Sequence, residues 1–358
     1  MSHLLEPLRF RGGATTRNRV ALAALTNQQS HADGSLSEEE ANWLIARAAG
    51  GFGIVTTCAT YVTQEGKAWA GELGLASEEH LAGFHRLAAA LAAEGALSLV
   101  QLFHGGLRAD EKVSGLEALS ASAATEPPVR GAATEDDLER IIAAFGQAAM
   151  SAHDAGMGGV EIHGAHGYLL AQFISTIENH RKDAWGGSLE NRARLLRRVT
   201  QEVRRQVPAD FVVGVRVSPE DFGQTRGVDL DETVQIAQWL AEDGVDFVHL
   251  SLWDVSRMTA KYPDQHAVPL FRKALPADVA IFTAGKIWTK GDAERVLAAG
   301  ADVVALGRSG ILNPDWPQRV ATGDAEPYLP PMSRADLLAR AVSPIFAEYL
   351  TKFKGLVQ

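Results

Sequence analysis

The chain alternates eight times between a short run rich in β-branched residues and a longer amphipathic stretch. Runs of this length with apolar residues at every position, or at every second position, predict strands, and the amphipathic stretches between them predict helices. Eight consecutive β-α units, without a composition break or a long Pro/Gly/Ser linker, favour one closed (β/α)8 barrel over two doubly wound sheets. The predicted strands are 19–23, 54–57, 97–102, 159–163, 211–217, 247–250, 279–283 and 303–306.

We therefore predict an α/β protein, a TIM barrel, that forms a single domain over residues 1–358. The barrel is expected over about 18–321, and a C-terminal extension over about 322–358. The irregular stretch 108–133 is expected to be a long loop after the third strand. Helix starts are marked by pairs with capping-box spacing, in which a hydroxyl or carboxylate satisfies a free backbone N–H and the second acid reciprocates. These pairs are Ser37 with Glu40, Thr134 with Asp137, and Asp229 with Glu232.

Composition excludes several classes of function. The 358 residues carry a net charge of -10 with a pI near 5.6, which argues against a nucleic-acid partner because phosphate backbones are held by clustered basic side chains. The single cysteine, Cys58, leaves no internal disulfide and no all-cysteine cage for an iron–sulfur cluster. With no secretory signal and no long apolar run, a cytoplasmic protein without a membrane partner is expected.

Candidate chemistry is concentrated in the stretch Glu-Ile-His-Gly-Ala-His-Gly-Tyr-Leu at 161–169. Here two imidazoles and a phenol, His163, His166 and Tyr168, follow an apolar strand. Donors of this kind can hold an oxygen anion and deliver a proton. In a barrel, reactive groups gather at the C-terminal ends of the strands. Three further polar residues fall at or just past such ends: Thr26, Gln101 and Arg216.

Two glycine-containing loops with a basic residue indicate a phosphate site. Gly285 and Lys286 follow the seventh predicted strand, and Gly307 and Arg308 follow the eighth. Glycines let backbone N–H groups approach an anion, and loops 7 and 8 of barrel enzymes frequently hold a phosphate. Rossmann, P-loop, zincin and hydrolase-elbow motifs do not occur in the sequence. A mononucleotide bound by the barrel is the remaining expectation.

The chain closely resembles the old yellow enzymes, FMN-dependent ene-reductases of the NADH:flavin oxidoreductase group. The segment 161–192 is highly specific for that family. The resemblance extends almost from end to end and is carried by Asn18-Arg19-Val20, Gln-Leu-Phe-His-Gly-Gly at 101–106, residues 161–169, Asn-His-Arg-Lys-Asp at 179–183, Trp-Gly-Gly-Ser at 185–188, Glu190-Asn191-Arg192 and Gly307-Arg308.

The resemblance implies non-covalent FMN across the barrel mouth, with NADPH or NADH as hydride donor. It places the flavin phosphate at the two glycine loops, Gln101 at the pyrimidine edge, Arg216 beside flavin N1 and Thr26 near N5. It implies no metal. The flavin-contacting residues carried over from the family are Ala24, Leu25, Thr26, Ala59, Gln101, His163, Arg216, Ala284, Gly285, Lys286, Gly307 and Arg308.

For the reaction, the resemblance implies reduction of an activated alkene (enone, enal, maleimide or nitroalkene) by a ping-pong mechanism. His163 and His166 would hold the substrate oxygen, and Tyr168 would donate the proton. The chain mixes two subgroup patterns, since Thr26 is typical of yeast-type members, whereas His166 replaces the asparagine of those members. The resemblance also implies a homodimer.

Two alternatives remain open at this point. One is an FMN-dependent desaturase that oxidises a carbonyl compound with oxygen, and the other is a non-catalytic flavin-binding protein. The natural substrate, the choice between NADH and NADPH, and the stereochemistry are not readable from the sequence. Four residues near the expected mouth have no assigned role: Cys58, Trp69, Trp253 and Tyr262.

Overall fold

A computed structural model describes residues 3–123, 131–323 and 326–358 of the chain. Part of the predicted long loop, residues 124–130, and residues 324–325 of the predicted extension lie outside this description. The strands of the described residues are β1 (Leu8–Arg9), β2 (Thr15–Thr16), β3 (Val20–Leu22), β4 (Ile54–Tyr61), β5 (Leu73–Gly74), β6 (Leu97–Phe103), β7 (Leu119–Ser120), β8 (Gly131–Ala132), β9 (Gly159–Gly164), β10 (Val212–Val217), β11 (Phe247–Ser251), β12 (Ala280–Ala284) and β13 (Val303–Leu306).

Long helices follow most of the barrel strands, and shorter ones lie in the loops and near the C-terminus. No helix of the described ranges combines the length and apolar character needed to span a bilayer. The α-helices are α1 (Glu38–Ala49), α2 (Leu81–Ala93), α3 (Glu111–Ser114), α4 (Glu135–Asp154), α5 (Leu169–Ile174), α6 (Leu189–Gln206), α7 (Leu230–Glu242), α8 (Ala267–Ala274), α9 (Lys290–Ala298), α10 (Arg308–Leu312), α11 (Trp316–Thr322), α12 (Arg334–Leu338) and α13 (Pro344–Leu350).

Among the described strands, eight form a closed parallel barrel. Its order is β3, β4, β6, β9, β10, β11, β12 and β13, and the ring closes because β3 pairs with both β13 and β4. These are the eight strands that the sequence predicts, so the (β/α)8 prediction is confirmed. The main difference in bounds is β4, which continues past the predicted 54–57 to Tyr61 with an irregular register between Thr56 and Ala59.

The inside of the barrel is filled by its own apolar layer. Phe247 and Phe282 stack with ring centroids 4.0 Å apart, and Phe10 packs 6.2–6.3 Å from both rings. Phe10 follows β1 of the small antiparallel hairpin β1–β2, which packs on this layer through Leu8 and Phe10. The N-terminal hairpin therefore contributes to the apolar floor on which the polar residues of the barrel mouth rest.

The predicted helix starts are present, but only one of the three predicted capping boxes forms. Thr134 and Asp137 cap α4 reciprocally. Ser37 caps α1 as predicted, but the reciprocal role of Glu40 is wrong. The buried Glu40 carboxylate instead accepts hydrogen bonds from Asn27 Nδ2 (2.9 Å) and from the Ser30 hydroxyl.

The helix α7 also starts with a one-sided cap. Asp229 accepts hydrogen bonds from the backbone amides of residues 231 and 232, while Glu232 Oε1 accepts from Arg192 Nη2 at 2.6 Å. In both one-sided cases the second acid, Glu40 or Glu232, bonds to another partner and not to the backbone amide of the capping residue. A hydrogen bond to a charged or buried group contributes more stability than one to an amide at a solvated helix start.

The C-terminal residues pack back onto the barrel. Phe346 of α13 is fully buried and meets Trp43 of α1 edge-on, with ring centroids 5.4 Å apart. Met332 forms an isolated parallel bridge with Val357, so the end of the chain is tied to the start of this segment. The stretch 108–133, predicted as loop, contains the short helix α3 and the pair β7–β8 within its described part.

The tight apolar layer predicts a large effect for Gly214→Ala. A Cβ at Gly214 would lie 2.2 Å from Cζ of Phe247, whose ring is held by Phe282 and cannot move away. We expect destabilisation by about 1–3 kcal/mol, the usual cost of overpacking, measured by denaturant unfolding. Gly291→Ala is the matched control: the nearest atom to its Cβ is 3.6 Å away on α9, and alanine there should be neutral or stabilising. Equal stability of the two variants would contradict this account of the layer.

Candidate active site

The predicted site residues come together at the C-terminal end of the barrel, around two adjoining cavities. The larger cavity, about 280 Å³, is called the main cavity, and the smaller, about 190 Å³, the loop cavity. Four predicted residues line both: Leu25, His166, Arg216 and Arg308. The remaining predicted residues are divided between them: Ala24, Thr26, Ala59, Gln101, His163 and Tyr168 line the main cavity, and Ala284, Gly285, Lys286 and Gly307 line the loop cavity.

Three donors form one wall of the main cavity. His163 is the fifth residue of β9, and His166 and Tyr168 lie in the turn that leads into α5. His163 Nε2 is 3.1 Å from His166 Nδ1, and His166 Nε2 is 2.7 Å from the hydroxyl of Ser251. The two imidazoles are therefore hydrogen-bonded to each other. The Tyr168 ring is edge-on to His163, with centroids 5.1 Å apart.

Burial keeps all three donors uncharged at neutral pH. It lowers the pKa of His163 to about 3, and the nearby cation of Arg216 acts in the same direction. Burial, followed by Arg216, also lowers the pKa of His166. For Tyr168, burial raises the pKa of the phenol to about 12. The cavity wall thus presents neutral imidazoles and a protonated phenol, which can donate hydrogen bonds without bringing a charge.

A buried carboxylate organises the floor beneath this wall. Glu161 Oε1 accepts a hydrogen bond from Gln101 Nε2 at 2.6 Å, and Glu161 Oε2 is 2.6 Å from His249 Nδ1. Burial opposes ionisation of Glu161, but His249, the charge of Arg216 and the Gln101 amide together lower its pKa to about 2. The carboxylate is therefore ionised, and it offsets the buried positive charge of Arg216.

Arg108, in a short helical turn after β6, supports the turn that carries the donors. His166 and Gly167 have positive φ angles of 60° and 68°, a conformation that costs free energy for a non-glycine residue. Arg108 Nη1 donates to the carbonyl of His166 (2.5 Å), and Nη2 donates to the carbonyl of Gln224 (2.8 Å). The guanidinium carbon lies 5.5 Å from the centre of the Tyr168 ring. Arg108 is not among the predicted site residues, although it lies two residues after the Gln-Leu-Phe-His-Gly-Gly motif.

The loop cavity has the features of an anion site. Gly285 and Lys286 follow β12 and have positive φ angles, and Gly307 precedes α10. The buried hydroxyl of Ser309 has no hydrogen-bond partner within the described chain. The Lys286 ammonium lies 3.0 Å from Asp254, so part of its charge is neutralised. An unpaired donor among glycine-flanked basic residues fits the phosphate of FMN.

The C-terminal segment supplies a wall that sequence reasoning missed. Tyr349, Leu350, Phe353 and Leu356 line the main cavity, and the phenol of Tyr349 lies beside the Thr26 side chain. The only sequence signal for this wall was the aromatic and apolar character of residues 346–356. Nothing in the sequence pattern indicated that this segment returns to the first strand.

The four unassigned residues separate into two groups. Trp69 and Trp253 line the main cavity. Cys58 is buried, and its burial, followed by the nearby Glu40, raises the pKa of the thiol. Tyr262 donates its hydroxyl to Asp231 on α7. Cys58 and Tyr262 thus have structural partners and do not line either cavity.

A barrel whose mouth presents proton donors beside an anion site fits a flavin-dependent oxidoreductase. Residues 3–326 match the model of the NADH:flavin oxidoreductase / NADH oxidase family. The chain belongs to this family.

Its relatives are consistent with that assignment. The chain is 35% identical to the probable NADH-dependent flavin oxidoreductase YqiG of Bacillus subtilis, over 89% of this chain and 88% of the relative. It is 32% identical to the NADPH dehydrogenase of Halalkalibacterium halodurans, over 90% of this chain and 95% of that protein. Some relatives are longer, and the chain spans only 36% of the NADH:fumarate oxidoreductase of Klebsiella pneumoniae.

The solved structure of the old yellow enzyme homologue from Zymomonas mobilis is also similar. It superposes with a TM-score of 0.82 at 28% identity, over 97% of this chain and 99% of that one. The chain is therefore an NAD(P)H-dependent flavin oxidoreductase of the old yellow enzyme type, with FMN as its cofactor.

The burial of the two histidines predicts that they do not titrate in the physiological range. A lowered pKa favours the neutral ring, so both imidazoles should stay neutral as pH falls from 8 to about 5. The measurement is ¹⁵N NMR of histidine-labelled protein, with His163→Gln and His166→Gln variants to assign the two sets of resonances. Titration of either ring near pH 6.5 would show that the site is wetter than the structure indicates.

Proposed function

We propose that this protein reduces the C=C bond of an activated alkene (an enone, enal, maleimide or nitroalkene) with hydride from NADH or NADPH. The observation that carries the proposal is the convergence of His163, His166 and Tyr168, all uncharged, on one cavity. Passive flavin storage needs no proton donor, which disfavours a non-catalytic protein. The nicotinamide and the alkene would use the same cavity in turn, giving ping-pong kinetics.

The residues around the two cavities would hold FMN. Gly285, Lys286, Gly307 and Arg308 would bind the phosphate through backbone amides and positive charge. When bound, FMN supplies the hydride that it has taken from the nicotinamide. The ring system would be bordered by Ala24, Leu25, Thr26, Ala59, Gln101, His163, Ala284 and Arg216.

Arg216 is placed to stabilise negative charge within this site. Its guanidinium is buried, Nη1 reaches the carbonyl of Ala24 (3.4 Å) and Nη2 the hydroxyl of Ser251 (3.1 Å), while Nε has no hydrogen-bond partner within the described chain. A buried donor without a partner is costly, so a polar ligand group in the cavity would relieve this cost.

The two imidazoles would bind and polarise the substrate oxygen. A carbonyl or nitro oxygen between the rings would replace the hydrogen bond that His163 and His166 now make to each other, with His166 taking the tautomer that carries its proton on Nδ1 so that both rings donate. Neutral N–H donors there stabilise the enolate-like charge that develops as the β-carbon is reduced. Preorganised donors of this kind contribute about 3–4 kcal/mol to the transition state.

Tyr168 would deliver the proton to the α-carbon. With its pKa raised to about 12, the phenol is fully protonated at neutral pH and can protonate a strongly basic carbanion. The positive charge of Arg108 over the ring stabilises the phenolate that remains, because a cation near the π face and the hydroxyl favours the anionic form. Arg108 is thus a positioning residue that acts through Tyr168.

The first test is Tyr168→Phe, which removes the proton donor and keeps the ring. Reduction of the bound flavin by NADH or NADPH should be almost unchanged, whereas its reoxidation by 2-cyclohexenone should slow by about 10²–10⁴-fold, the usual contribution of a general acid. Anaerobic stopped-flow absorbance measures each half-reaction separately. If both half-reactions slow equally, Tyr168 is not the proton donor. Failure of alkenes to reoxidise the wild-type flavin would instead favour a desaturase.

A second test separates the two roles of Arg108. Arg108→Met removes both the charge and the two carbonyl bonds, and the rate of cyclohexenone reduction by the dithionite-reduced protein should fall about 3- to 30-fold. Arg108→Lys keeps a cation near the ring and should restore part of that rate. If Arg108→Met leaves the rate of cyclohexenone reduction unchanged, the guanidinium has no role in the mechanism. Unfolding of each variant in denaturant provides the control for lost stability.

A further inference from the structure

A third cavity adjoins the active site at Trp253. It is about 280 Å³ in volume and is lined chiefly by residues 219–222, 251–254 and 257–260, at the end of β11 and in the loops after β10 and β11. Trp253 is shared by all three cavities, and Ser251 and Leu252 are shared with the loop cavity. We call it the side cleft. None of the residues assigned above to FMN, the substrate oxygen or the proton lines it.

Large apolar side chains are exposed around the side cleft. Trp253 and Met258 are each 52% exposed and Phe222 is 40% exposed. The rings of Phe222 and Trp253 lie 4.6 Å apart at an interplanar angle of 31°, and the guanidinium of Arg308 sits 5.6 Å from the Trp253 ring. Aromatic faces exposed together at a concave site indicate a planar ligand, because stacking on them removes apolar surface from water.

The charged groups of the side cleft favour a ligand with hydroxyl groups over one with a phosphate. Glu220 accepts hydrogen bonds from the backbone amides of Ala260 and Lys261, and Asp221 accepts one from Val228, but neither acid has an ion-pair partner in the described part of the chain. Asp254, by contrast, pairs with Lys286 at 3.0 Å and with Arg257, a cation that also lines the cleft, at 3.9 Å. Two carboxylates without cations can accept hydrogen bonds from a ribose diol and repel a 2′-phosphate.

We propose that the side cleft binds the adenosine half of NADH, with the adenine stacked on the Phe222–Trp253 pair and the ribose diol facing Glu220 and Asp221. This inference rests on the proposed function, in which the nicotinamide half occupies the main cavity. Because Trp253 borders both spaces, the two halves of one dinucleotide would lie in adjoining cavities. The unpaired carboxylates make NADH the preferred donor over NADPH.

The test uses Phe222→Ala, because this exposed ring lines the side cleft and not the main cavity. Anaerobic stopped-flow reduction of the holoenzyme gives the Kd of NADH and of NMNH, which carries the same reactive ring without adenosine. The variant should raise the Kd of NADH about tenfold, equivalent to ~1.4 kcal/mol of stacking, and leave that of NMNH unchanged. Leu5→Ala, which removes an equally exposed apolar side chain at the N-terminus, is the control.

A charge variant tests the preference between the two dinucleotides. Asp221→Asn keeps the oxygen that accepts from Val228 and removes the negative charge. The Kd of NADPH relative to that of NADH should fall about fivefold, as expected for one charge close to the 2′-phosphate at the surface. An unchanged ratio would overturn the role of the carboxylates.

The remaining outcomes distinguish this inference from the function on which it rests. An unchanged Kd of NADH in Phe222→Ala, or an equal rise for NADH and NMNH, would overturn the adenosine site while leaving alkene reduction intact. A wild-type flavin that both donors reduce but that 2-cyclohexenone does not reoxidise would overturn the proposed function without affecting the adenosine site.

Discussion

The closure of the sheet on itself is the constraint on which the rest of the structure depends. Because β3 hydrogen-bonds to both β4 and β13, all eight barrel strands end in one ring, and residues separated by almost 300 positions become neighbours. Thr26 after the first strand and Arg308 after the last line the same cavity for this reason alone. The closed ring also leaves these strands without a free edge, so the mouth of the barrel is the place where polar side chains can gather.

Within that ring, the buried charges are balanced by residues beneath the three donors, since the donors themselves are uncharged. Glu161 and Arg216 lie on neighbouring strands, β9 and β10, and both are buried. A single buried charge without a partner would cost too much free energy. The cost is much smaller for the Glu161 carboxylate, because Gln101 and His249 hold it beside the guanidinium of Arg216. The result is a fixed polar floor over an apolar one built from Phe247, Phe282 and Phe10. Donors above such a floor need little rearrangement when charge develops on a ligand.

Much of this could be predicted from the sequence, because the decisive signals are local. Strand runs and the spacing of His163, His166 and Tyr168 are each readable within about ten residues, and barrel topology then brings them together. The failures share a different cause. Glu40 has the spacing of a capping residue, but it is satisfied by Asn27 and Ser30, which only the folded chain brings near it.

The C-terminal wall and Arg108 were missed for the same reason. Tyr349 reaches Thr26 across more than 300 positions, and Arg108 lies over the Tyr168 ring although it belongs to a stretch that reads only as loop. Contacts of this range depend on how irregular segments pack, and neither periodicity nor turn chemistry encodes such packing.

The position of Tyr349 and Phe353 has a consequence for how such a protein can diversify. The wall that they form belongs to a segment outside the hydrogen-bonded ring, anchored to it through Phe346 and Trp43. Substitutions that reshape the wall therefore leave the register of every barrel strand untouched. Selection could widen or narrow the range of accepted molecules here while the barrel and its chemistry stay the same. The breadth of substrate specificity can therefore evolve independently of the stability of the fold.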